Sequence, residues 1–133
     1  MYYVVHLLHL LFNCFTRQAS FNWFVIIIIG LMLRSDTLGL TSIMRDLALA
    51  PNHYESILHF FHSSSWSLES ISSKWFEVVK NFAPLYYEGN SVVLIGDGVK
   101  QAIEGYVMCS CIALGLLQIL AMHFQKKQCQ RPV

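Results

Sequence analysis

The sequence predicts a mainly α-helical chain in which extended structure is confined to the segment after residue 89. Three observations carry this. Leu68, Ile71, Trp75, Val78 and Phe82 fall at spacings of 3, 4, 3 and 4, which draws one stripe along a helix. The apolar stretches Tyr2 to Phe15 and Trp23 to Leu33 are shorter than the roughly twenty residues needed to cross hydrocarbon, so they read as core elements. At Ser91 to Gly96 the period changes: Val92, Val93, Leu94 and Ile95 are consecutive apolar residues between turn formers, the pattern of a strand buried on both faces. The chain has 133 residues, 55% of them apolar and 13% charged, where about 25% charged is usual, which excludes a disordered protein. A net charge of +1 excludes the broad basic face of a nucleic-acid coat, so any such contact must come from local patches.

Taken in order, Tyr2 to Phe15 is interrupted by His6, His9 and Asn13 and reads as a buried helix. Trp23 to Leu33 reads as a core helix. Its run Ile26 to Ile29 is β-branched, which keeps a buried strand as the alternative. Thr41 or Ser42 caps a short helix carrying Ile43 and Leu47 inward, and Pro51 breaks the chain after it. Asn52 opens the next helix with Glu55 three residues on, the capping-box spacing, and Tyr54, Leu58 and Phe61 form its apolar face. Serines 63 to 65 end it. The striped helix runs from about Ser67 to Phe82, with Ser70, Lys74, Glu77 and Lys80 opposite the stripe and Pro84 beyond its end. Glu88-Gly89-Asn90 is a turn cluster.

The candidate chemistry is sparse. Asp97 follows the buried strand, where a carboxylate is held by rigid backbone at a sheet edge, the placement a hard divalent cation uses. Gly96-Asp97-Gly98 is equally a hairpin turn. His59 and His62 stand three apart on one helix near His53 and Glu55, but zinc needs four converging ligands, and the pair reads as plain surface. Cys14, Cys109, Cys111 and Cys129 lack paired C-x-x-C spacing, and the start lacks the basic region of a cleavable signal, so a reduced, cytoplasmic setting is expected. Tyr106 to Phe124 holds no charged residue, is long enough to span a bilayer, and is followed by Lys126-Lys127.

Several words in order, Phe21-Asn22-Trp23-Phe24-Val25-Ile26, Leu33-Arg34-Ser35-Asp36, Leu38-Gly39-Leu40-Thr41-Ser42, His59-Phe60-Phe61-His62-Ser63-Ser64-Ser65-Trp66 and Leu94-Ile95-Gly96-Asp97-Gly98-Val99-Lys100-Gln101, resemble the amino-terminal part of DDE transposases from bacterial insertion sequences. The resemblance covers roughly residues 17 to 105. It implies a helical leader region over 1–88, the first strand of an incomplete RNase H-like α/β core over 89–105, and a divergent apolar tail over 106–133. It further implies that Asp97 matches the first metal-binding aspartate of a Mg²⁺-dependent triad, with Lys100 facing a phosphate, and that the partners are transposon-end DNA and a full-length transposase. Residues 105 to 133 contain no Asp or Glu, so the second and third carboxylates of the family are missing from them. The expectation is a truncated or frameshifted transposase-like chain, inactive alone. The alternative is a small membrane-associated protein anchored by residues 106–124.

Overall fold

The computed structural model describes residues 2–33, 39–83, 86–92 and 104–129. The described chain is mainly helical. Helix α1 (Tyr2–His9) runs into a 3₁₀ turn over Phe12–Cys14 and buries Val4, Leu7, Leu8 and Leu11, spaced as one helical face. Helix α2 (Gln18–Leu33) settles the helix-or-strand question: Phe21, Phe24, Ile27, Ile28 and Leu31 are buried along one side. Isoleucine costs only a few tenths of a kcal/mol per residue in helix propensity, which burial of Ile27 and Ile28 easily offsets.

Helix α3 (Gly39–Asp46) crosses α2 where Gly30 leaves room: a Cβ at Gly30 would collide with the Ile43 side chain, itself fully buried. The expected cap at Thr41 or Ser42 is not there, because α3 begins at Gly39. Ser42 is instead buried inside the helix and donates its hydroxyl to the Gly39 carbonyl at 2.8 Å. Leu47 lies past the last turn and is half-buried.

Helix α4 (His53–His62) also departs from expectation at its start and on its face. Asn52 has helical angles (φ −66°, ψ −19°) and makes no side-chain cap bond, since a capping residue must leave the helical region to reach back. The inward residues are Ile57 and Phe60; Tyr54 is exposed, and Leu58 and Phe61 are half-buried. Helix α5 (Leu68–Phe82) follows the predicted stripe through Ile71, Trp75 and Val78, with Ser67 accepting the Ser70 N–H at 3.2 Å as a formed cap. Phe82, the last member of the stripe, turns outward at 39% exposure.

After α5, β1 (Tyr87–Glu88) and β2 (Ser91–Val92) pair antiparallel around Gly89-Asn90, with Tyr87 opposite Val92. Gly89 takes φ +63°, the left-handed conformation a two-residue hairpin turn requires. The turn expected at residues 88–90 is thus present, with Glu88 drawn into the first strand. Val93 to Ile95, and with them Asp97 and Lys100, lie outside the described residues.

Helix α6 (Glu104–Cys129) packs across α2 and α5. Cys109, Ile112, Ala113, Leu116 and Ile119 form its buried strip. Gly115 faces Trp75, whose Cζ2 would stand 2.6 Å from a Cβ there, and Gly105 faces Trp66 at 2.9 Å. Near the far end, His123 stacks on Tyr3 of α1 with ring centroids 4.8 Å apart. Val107–Gln125 is long and apolar enough to cross a membrane by length and composition, and the same helix contributes to the common core.

Candidate functional site

Polar groups gather where the first turns of α2 face α4. Arg17, Ala19, Ser20 and Trp23 form one wall of a cleft of about 380 Å³, and Glu55, Ser56, His59, Phe60 and Ser63 the other. The segment joining α4 to α5 fixes their separation. The Thr16 N–H donates to the Ser65 carbonyl at 2.9 Å, and Phe15 and Trp66 meet in an isolated antiparallel bridge. Trp66 stacks on Phe60 (centroids 5.1 Å) and donates its indole N–H to the Phe60 carbonyl at 2.9 Å. Buried Ser65 extends the clamp: its hydroxyl donates to Ser20 Oγ at 2.6 Å and accepts from the Ser63 hydroxyl at 2.8 Å. A small aromatic cluster of Phe15, Phe24 and Phe60 underlies these contacts, with Phe15 and Phe24 centroids 5.0 Å apart.

Trp23 is half-buried and its ring meets that of His53 edge-to-face at a centroid distance of 5.5 Å. Among the described residues neither Arg17 nor Glu55 makes an ion pair, so a cation and a carboxylate face one cleft without neutralising each other. Such an arrangement offers a donor fork, an acceptor and an aromatic wall to one ligand.

Of the residues singled out in the sequence, His59 lines this cleft and His62 is exposed further along α4. Among the described residues no three His, Cys, Asp or Glu side chains converge on a point where a metal ion would sit. Asp97 and Lys100 lie outside the described residues. Cys109 is sealed in the core, where burial pushes its thiol up to about 12. The cleft itself went unrecognised in the sequence. Its signal was the word His59 to Trp66, whose polar members pair with residues some forty positions earlier.

A mainly helical domain with a mixed-charge cleft and no assembled metal centre among its described residues is what the geometry defines. A family profile described as DDE superfamily endonuclease matches residues 10–99, which is most of the chain, and the protein belongs to that family. The matched stretch takes in α2 to α5, the hairpin and Asp97. No curated protein and no solved structure matches the chain.

Proposed function

We propose that this chain is the leader portion of a DDE transposase of a bacterial insertion sequence, which binds transposon-end DNA and is inactive alone in strand cleavage. The observation that carries the reading is the family match over residues 10–99, which reaches Asp97 and stops close to it. Asp97 is then the first carboxylate of a set that holds Mg²⁺, with Lys100 beside a phosphate. Metal-assisted phosphoryl transfer needs a pair of ions about 4 Å apart held by several carboxylates. Residues 105–133 supply none, so they do not complete the set. A full-length transposase is the partner proposed to supply the rest, and the cytoplasm is where both would meet DNA.

The membrane reading of residues 106–124 rests on length and composition alone. The burial of Cys109, Ile112, Leu116 and Ile119 against α2 and α5 supports a core role for that helix. The test is a mobility-shift titration of the purified chain with duplexes copied from the flanks of its own coding DNA. Retardation stronger than for scrambled duplexes is expected; equal affinity for both, or recovery of the protein only in an integral-membrane fraction, overturns the reading.

A further inference from the structure

We propose that the α2–α4 cleft holds a single unpaired nucleotide at a DNA terminus, a site resting on the DNA-binding reading above but going beyond it. The volume of about 380 Å³ is at the small end of ligand clefts, which run from about 300 to 1,000 Å³, and it suits one nucleotide better than a stretch of backbone. Three features divide the ligand among themselves. Trp23 supplies a half-buried indole as a stacking wall, and every base has a face that stacks. Arg17 is exposed at the rim, without an ion pair among the described residues, and its planar fork matches a phosphate.

Glu55, on the opposite wall, is the feature that narrows the ligand. A bare phosphate would be repelled by this carboxylate, so the occupant must also present a donor. The exocyclic amine of cytosine or adenine is such a donor, and carboxylate acceptance from it is a known mode of base reading. Thymine offers no amine. The cleft therefore takes a ligand with an anionic end toward Arg17 and an amino-bearing aromatic end between Trp23 and Glu55. His59, Ser56 and Ser63 also line the cleft. A free nucleotide shares this chemistry with a DNA terminus, and the two sources are separable by experiment.

Fluorescence anisotropy would compare the full chain binding a blunt duplex with the same duplex carrying one unpaired 3′ dA or dT. The dA overhang is expected to tighten binding roughly five- to tenfold, the lower range for one base stacking on an aromatic side chain, and dT less. Trp23→Ala and Arg17→Gln should each remove the gain, read as the ratio of overhang to blunt-duplex affinity for the same variant, and Glu55→Ala, which removes the acceptor, should sharply reduce the preference for dA over dT. Arg17 is exposed, so its variant keeps the test sound even if Trp23→Ala unsettles α2. Free dAMP at millimolar concentration should compete for the overhang increment only. If dAMP displaces the blunt duplex as well, the cleft is a general phosphate site and the proposal is overturned. Equal affinity for blunt and overhang duplexes, or a gain that survives both variants, overturns the cleft assignment and leaves the DNA-binding reading intact. Failure to bind any duplex overturns both.

Discussion

Replacing Gly115 with leucine tests whether α6 is an integral part of this fold. A Cβ at that position would lie 2.6 Å from Trp75 Cζ2 and 3.5 Å from both Cε2 and Cη2. Carbon pairs prefer about 3.5–4.0 Å, so the nearest contact is too close by about 1 Å before the rest of the leucine is counted. Trp75 cannot simply swing aside, since it is 8% exposed and its helix also commits Ile71 and Val78 to the core. Overpacking of this kind costs about 1–3 kcal/mol, and a side chain with several atoms beyond Cβ belongs at the upper end. Against that, removing glycine from a helix interior returns somewhat under 1 kcal/mol. The net expectation is a loss of about 2 kcal/mol, read by urea denaturation, with a melting temperature lower by roughly 5–10 °C. Adding Trp75→Phe should recover part of the loss, because the two changes share one contact and do not add. Gly39→Ala, where nothing lies within 4 Å, is the control and should cost nothing comparable. If Gly115→Leu is as stable as the parent or more so, helix propensity alone is at work and α6 does not rest on Trp75.

Four further outcomes follow from the same structure. Ser67→Ala should cost about 1 kcal/mol, the usual value of a formed N-cap, while Asn52→Ala, which loses no cap bond, should change the denaturation midpoint very little. Leu116→Ala, removing a fully buried side chain at the centre of α6, should cost about 2–5 kcal/mol by the same assay. Cys109 should resist alkylation in the native chain at pH 8 while exposed Cys111 reacts, as peptide mass mapping would read. Because burial raises the Cys109 thiol from 9.0 to about 12, its contribution to stability is complete below the lower value and is lost as pH rises toward the higher one. Cys109→Ala should flatten the decline in stability across that alkaline window; an unchanged slope contradicts the assignment.

Where the sequence alone sufficed, one physical signal dominated. On α5 the apolar residues are few and the opposite face is charged, so spacing identifies the inward side, and Ile71, Trp75 and Val78 are where the period puts them. On α4 the apolar residues Tyr54, Ile57, Leu58, Phe60 and Phe61 nearly encircle the helix, and no period can choose among them. The choice falls to Ile57 and Phe60 because the aromatic cluster of Phe15, Phe24 and Trp66 lies on that side, a fact of tertiary packing. For α2, β-branching left a buried strand open beside the core helix, and the structure is a helix with Phe21, Phe24, Ile27, Ile28 and Leu31 inward. The packing of α6 was hidden for a related reason. Its residues are apolar on all sides, so the strip from Cys109 to Ile119 shows itself only against α2 and α5. The cleft required two helices and a serine clamp to come together across Ser20 and Ser65, a pairing that local patterns do not encode.

The central claim is a DDE-family leader that engages DNA without cutting it. It is tested most directly by incubating a supercoiled plasmid, carrying the DNA that flanks the coding sequence, with the purified chain and its Asp97→Ala variant in Mg²⁺ or Mn²⁺. Both proteins are expected to retard the plasmid and leave it supercoiled. Relaxed circles nicked at defined flank positions by the parent chain, and absent with Asp97→Ala, would show a complete metal site within these 133 residues and contradict the account.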